Sequence, residues 1–209
     1  MGRLIAIGDI HGRLRMLHGL MDQVKPESED EIVFLGDYID RGPDSFEVVE
    51  YLRGFKQKYP KAITLRGNHE DFILSFFKNT NQQDRQLWLK HNGGEQTMAS
   101  YRRNDEYLKV HREFYESLPI FWETEEFFFC HAGVRPGVPL ENQLTSDLLG
   151  VREPFLSSGM HFGKVIVHGH TIVSEPTLEP NHINIDTGAG GFGPLTAIEL
   201  PSKRIWQQM

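Results

Sequence analysis

The chain has 209 residues, a formal net charge of −7 and a single cysteine, Cys130. By size scaling, that length fits one large domain or two small ones and buries roughly 70% of the unfolded surface, so folding needs no external staple; one cysteine also excludes an internal disulfide framework and fits a reducing cytoplasm. The acidic balance leaves no electrostatic footprint for nucleic acid, no apolar run approaches the roughly 20 residues that span a bilayer, and the opening MGRLIAIGD lacks a signal-peptide pattern, so a cytoplasmic protein without nucleic-acid or membrane partners is expected.

In chain order, LIAIGD (4–9), IVFLGD (32–37) and AITLRGN (62–68) are short apolar runs closed by turn residues, and each predicts a buried strand. Between the first two, RLRMLHGLMDQV places Leu14, Leu17, Met21 and Val24 at helical spacing. Between the next two, DSFEVVEYLRGFKQKY opens on a capping Asp44 or Ser45 and carries Val48, Leu52 and Phe55 on one face. Strand, helix, strand, helix, strand implies parallel pairing through helical crossovers. Residues 69–117 read as mostly helical, broken by NGG at 92–94. IFWE (120–123), EFFFCH (126–131), KVIVHGH (164–170), HINID (182–186) and LTAIEL (195–200) then supply strands for a second sheet. With no repeat, low-complexity tract or dividing linker, the expected organisation is one domain over 1–209 with a mainly helical insertion at about 71–117.

The apolar runs deliver polar residues of one kind. Asp9 and His11 follow the first, Asp37 the second, and Asn68, His69 and Glu70 the third; His131 ends FFFCH, and His168 and His170 end KVIVHGH. In open α/β sheets the carboxyl ends of neighbouring strands converge on one crevice. Carboxylates and imidazoles crowded there repel or desolvate one another unless a cation sits among them, and Asp, His and Asn are ligands for borderline to hard divalent metals. A single Gly-Asp pair is an ordinary turn, but two of them with GNH and HGH behind equivalent strands are not. His168 reads either as facing the crevice or as a packed strand residue. Arg66 and Arg135 read as ion-pair partners of carboxylates or as phosphate binders, and Asp44 reads as a helix cap.

GDIHG (8–12), GDYIDRG (36–42), GNHE (67–70), HAG (131–133) and HGHT (168–171) resemble, in this order, the signature of the metallophosphoesterases. More narrowly, they and the stretches WLKHNGGEQTMASY (88–101) and INIDTGAGGFGPLTAI (183–198) resemble the PPP-type bacterial serine/threonine protein phosphatases. The resemblance implies an α/β fold in which two β-sheets pack face to face as a sandwich flanked by helices. It implies two divalent metal ions, manganese first, with iron and zinc as alternatives. Asp9 and His11 would hold one, Asn68, His131 and His170 the other, and Asp37 would bridge two dications that repel at roughly 3.5–4 Å. Broader relatives read G-H-x-H at the last motif; Ile172 stands there instead, as in the phosphatase branch, which leaves the first metal fewer protein ligands. The resemblance further implies His69 as general acid, Asp40 as the carboxylate that orients it, and Arg41 and Arg152 as holders of the phosphoryl oxygens. A guanidinium matches phosphate bidentately, and a carboxylate behind an imidazole favours its protonated form.

The expected reaction is hydrolysis of a phosphomonoester on a phosphorylated protein or peptide by a hydroxide shared between the metals, with no covalent intermediate. The nearest rival is a symmetrical diadenosine tetraphosphate hydrolase, which shares the metal motifs and would be marked by a basic or stacking pocket for the second nucleotide. A non-catalytic scaffold that keeps the fold is a rival of another class, countered by the full ligand set. A cysteine-dependent phosphatase is countered by spacing: four residues separate Cys130 from Arg135, where the loop of that class has five, and Cys130 after FFF reads as buried core.

Overall fold

Strand runs that are apolar at every position, rather than at alternate ones, must be covered on both faces. The computed structural model shows what covers them; it describes residues 2–78, 82–102 and 105–209, so the helical reading at 79–81 and 103–104 lies outside the described residues. The N-terminal unit follows the expected order: β1 (Leu4–Ile7), α1 (Leu14–Val24), β2 (Glu31–Phe34), α2 (Ser45–Lys58), β3 (Ile63–Thr64). Strands β1 and β2 pair in parallel from Leu4↔Glu31 to Ile7↔Phe34, and β3 extends the sheet beside β2. Four helices follow: α3 (Asn68–Lys78), α4 (Gln82–His91), α5 (Gly94–Tyr101) and α6 (Leu108–Ser117). The remaining elements are β4 (Phe121–Glu123), β5 (Phe127–Cys130), α7 (Thr145–Gly150), β6 (Val165–His168), β7 (Thr177–Leu178), β8 (His182–Asn184), β9 (Leu195–Leu200) and β10 (Arg204–Gln208).

Two sheets of five strands result, in the orders β10-β9-β1-β2-β3 and β4-β5-β6-β8-β7. Contrary to expectation, LTAIEL does not join the second sheet. As β9 it pairs antiparallel with β1, Leu4 opposite Leu200, along the edge that β2 leaves open. The missed β10 completes that side; RIWQQ buries only Trp206, so it carries no apolar run to read.

The strand period of two sorts the apolar residues. Ala6, Val33, Leu35, Phe129, Val167, Ile183 and Ile198 point between the sheets and form the middle of the sandwich. Ile5, Ile7, Ile32 and Phe34 point the other way, into Leu17, Leu20, Val24, Val48 and Leu52 of the first two helices. Phe128, Cys130 and Ile166 face a third cluster with Leu148 and Phe155. Truncating the fully buried Phe129 to alanine would cost about 3–5 kcal/mol, since neither sheet can collapse into the gap. The consequence for function is positional: the parallel strands of both sheets end on one side of the sandwich.

Candidate active site

The loops after β1 and β2 are laced together. Ile10 N–H and His11 N–H both donate to the Asp37 carbonyl at 3.0 and 2.9 Å, and Gly12 N–H donates to Tyr38 O at 2.8 Å. The buried Glu70 ties in the third loop: its Oε2 accepts from Asp37 N–H at 2.8 Å and Gly67 N–H at 2.9 Å, and its Oε1 from Tyr38 N–H at 2.8 Å. A Cβ on Gly67 would lie 2.2 Å from Asp37 Oδ1, so only glycine lets these loops approach. Among the described residues, seven non-glycine residues adopt positive φ, and five of them are His11, Asp37, Asp40, Arg41 and His170. Left-handed backbone costs roughly 1–2 kcal/mol per residue, and such strain concentrates where geometry serves a site.

These loops gather the expected residues. Asp37 lies at the centre, Oδ2 3.5 Å from His11 Nε2 and 3.7 Å from His69 Nε2, Oδ1 3.4 Å from His131 Nε2. His11 Nδ1–H donates to Ile39 O at 2.8 Å and His131 Nδ1–H to Leu35 O at 3.0 Å, which turns both Nε2 atoms inward. Asn68 Oδ1 stands 2.8 Å from His131 Nε2 and 2.8 Å from His170 Nδ1. His11, Asp37 and His69 form one close-knit donor group; Asp37, His131 and His170 form a second that shares the carboxylate. Asp9 lies outside both groups: it is buried, accepts from His170 N–H at 3.2 Å, and leaves no room for a Cβ on Gly169.

The donor set fits divalent cations. His170 Nδ1 and His131 Nε2 both converge on Asn68 Oδ1 at 2.8 Å, so one amide oxygen and two imidazole nitrogens are gathered where a single cation would take all three lone pairs. Burial opposes charge on His131, yet Asp37 and Asp9 outweigh it and push its imidazole up to about 10. Burial also opposes charge on Asp37, but His131 and His69 hold its carboxyl well below the usual range. Asp9 is held well above that range by burial and by Asp186. The field at this site calls for positive charge.

The second component is an acid-type dyad. His69 Nδ1–H donates to Asp40 Oδ2 at 2.6 Å, and its Nε2 points to the centre. Burial works against a charged His69, yet Asp37 and Asp40 keep it above its ordinary value. Two residues that sequence reasoning left without a role hold Asp40: Trp88 Nε1–H donates to Oδ2 at 2.7 Å and Thr97 Oγ1–H to Oδ1 at 2.6 Å. Arg41 lies at the mouth, Nη1 2.9 Å from His11 Nε2 and Nη2 3.3 Å from His69 Nε2. Arg152 is exposed, and its charge acts on His170.

Other candidates fall away from the centre. His168 is buried and pairs its Nε2 with His182 Nδ1 at 3.0 Å. Arg135 binds Asp147 through two hydrogen bonds of 2.8 and 2.6 Å, and Arg66 reaches Glu116 O and Asp71. Asp44 occupies the N-cap position of α2 without a capping hydrogen bond. Cys130 is buried, and burial pushes its thiol up to about 12, unfit as a nucleophile. Sequence reasoning passed over Asp186, which is buried, accepts from Gly188 N–H at 3.1 Å and crowds Asp9.

A two-sheet sandwich with paired donor groups sharing one carboxylate defines a metal-dependent phosphoesterase. The chain belongs to the calcineurin-like phosphoesterases, whose family profile matches residues 2–189. A bis(5′-nucleosyl)-tetraphosphatase PrpE [asymmetrical] of Anoxybacillus flavithermus is 31% identical over 93% of this chain and 89% of its own. Its namesake in Oceanobacillus iheyensis is 29% identical over 94% and 88%. Among solved structures, one provisionally titled a diadenosine tetraphosphatase superposes with a TM-score of 0.75 at 24% identity over 99% of this chain and 92% of its own. A yeast protein serine/threonine phosphatase gives 0.65 at 17% identity over 99% and 79%. The structural likenesses speak to the fold alone.

Proposed function

We propose that the protein hydrolyses dinucleoside polyphosphates, cleaving the polyphosphate chain by attack of water on phosphorus. The observation that carries this reading over the phosphoprotein phosphatase expected from the motifs is the 31% identity, across nearly the whole of both chains, to a bis(5′-nucleosyl)-tetraphosphatase. Asp9, His11, Asp37, Asn68, His131 and His170 would hold a pair of divalent ions, whose chemistry is Lewis acidity toward phosphoryl oxygen and toward water. Arg41, beside His11 and His69, and Arg152, whose charge acts on His170, bind the non-bridging oxygens and offset charge that builds on them. His69 gives its Nε2 proton to the leaving oxygen as the P–O bond breaks, while Asp40 fixes Nδ1–H and so the ring's orientation.

One observation favours a second reading, hydrolysis of phosphoserine or phosphothreonine. The His69–Asp40 dyad is buried and doubly held, and a serine alkoxide, a stronger base than a nucleotide phosphate, needs such an acid more. The two readings separate in one comparison of kcat/KM on metal-loaded protein: diadenosine tetraphosphate against phosphoserine and phosphothreonine peptides. A higher value for the dinucleotide supports the first reading; turnover of the peptides alone rejects it.

A further inference from the structure

Between α3 and α4 lies a cavity of about 200 Å³ that the reacting groups do not fill, walled by Phe72, Ser75, Phe76, Arg85, Trp88 and Asn92. Contacts tie it to the centre from two directions. The Phe72 ring stands edge-on to the His69 imidazole, centroids 5.5 Å apart, and Trp88 donates to Asp40 behind it. Asn92 precedes Gly93, whose carbonyl accepts from Arg41 N–H at 3.4 Å. The leaving oxygen takes its proton from His69, so the group attached to that oxygen departs past the imidazole that Phe72 of the cavity wall touches.

The walls suit a flat aromatic ring. Phe76 meets Trp88 at 5.0 Å between centroids, and the Arg85 guanidinium carbon lies 4.4 Å from the centroid of Phe76. Aromatic faces and guanidinium planes are the surfaces on which bases stack. Asp71 and Asp84, also on the wall, can accept from an exocyclic amine and repel phosphate, which leaves the phosphate chain to Arg41. Resting on the dinucleotide reading, we propose that this cavity receives the nucleobase of the leaving nucleotide, with Phe72, Phe76 and Arg85 supplying the stacking surface.

The test is calorimetric titration of metal-loaded full-length protein with a methylene-bridged, non-hydrolysable diadenosine tetraphosphate and, separately, with inorganic phosphate. Wild type is compared with Arg85→Ala and with Ser75→Trp, which fills the cavity. Losing a stacked base is expected to weaken dinucleotide binding roughly 5- to 150-fold relative to any change for phosphate. Equal weakening of both ligands, or no weakening, overturns the proposal, as does a wild type that binds the dinucleotide no more tightly than phosphate. Weakened binding of a tryptophan-containing phosphopeptide with unchanged dinucleotide affinity overturns it too, by assigning the cavity to a peptide side chain. Should Ser75→Trp not fold, Arg85→Ala decides alone. Failure of the substrate reading looks different: wild type would not hydrolyse diadenosine tetraphosphate, although the selective loss in binding persisted.

Discussion

Replacing Asp40 by asparagine removes a charge while keeping a shape. Both N–H groups that reach Oδ2, His69 Nδ1 at 2.6 Å and Trp88 Nε1 at 2.7 Å, can be accepted by an amide oxygen in the same place. The new NH2 then faces Thr97 Oγ1, whose hydroxyl can turn to Ser45 Oγ at 3.0 Å. Hydrogen bonds to a charged group are worth about 1.5–3 kcal/mol and neutral ones about 0.5–1.5, so the change at His69 is about 1–1.5 kcal/mol, or roughly 5- to 12-fold in rate. The loss should follow the leaving group. Phenolate is a stronger base than nitrophenolate and depends more on protonation, so kcat on phenyl phosphate should fall by the full factor and kcat on nitrophenyl phosphate by less than about 2-fold. His69→Asn should show the same order with a larger loss, roughly 10²- to 10⁴-fold on phenyl phosphate. Steady-state kinetics with metal content checked in each sample reads this directly. Equal losses on both substrates at unchanged metal content would refute the acid assignment and leave His69 as a phosphate-positioning group.

His131→Ala deletes an inward-facing Nε2 that sits 2.8 Å from Asn68 Oδ1, and elemental analysis should show the metal content falling by one ion per chain with activity lost. Cys130→Ser should keep kcat within about 2-fold while lowering stability by about 1–3 kcal/mol in denaturant titration, because a hydroxyl enters a fully buried site. Asp30 is buried and accepts from Arg3 N–H, the Arg3 guanidinium and Glu27 N–H; burial raises its carboxyl, but these donors outweigh it and hold the group below its ordinary value. That contribution is present above the unfolded value of about 3.9 and is lost as pH falls through the depressed folded value. Asp30→Asn should therefore destabilise by about 1–3 kcal/mol near neutrality and by less as the acid range is entered, in thermal melts across pH.

The sequence made the site legible where chemistry sits at the end of a strand. Asp9, His11, Asp37, Asn68, His131 and His170 each follow an apolar run; parallel pairing brings such ends together within each sheet, and the packing of the two sheets brings the two sets to one place. Residues whose work depends on long-range packing stayed hidden. Thr97 lies 57 positions from Asp40 and Trp88 lies 48, and nothing local marks either as a donor to a buried carboxylate. Glu70 was visible within GNHE, but its task of binding three backbone N–H groups of two loops belongs to the fold. The misplaced β9 has the same origin: an apolar run states that a strand is buried, while the free edge of β1 decides which sheet it joins.

On the function proposed above, this cluster of carboxylates, imidazoles and one amide works as a two-cation phosphoesterase centre on a dinucleotide. Titrating chelator-stripped protein with manganese while following diadenosine tetraphosphate hydrolysis tests it most directly. The expected curve starts near zero and reaches its plateau at two equivalents per chain. Full turnover before any metal is added would rule out a metal-dependent centre, and no turnover at saturation in a folded protein would rule out the dinucleotide as substrate.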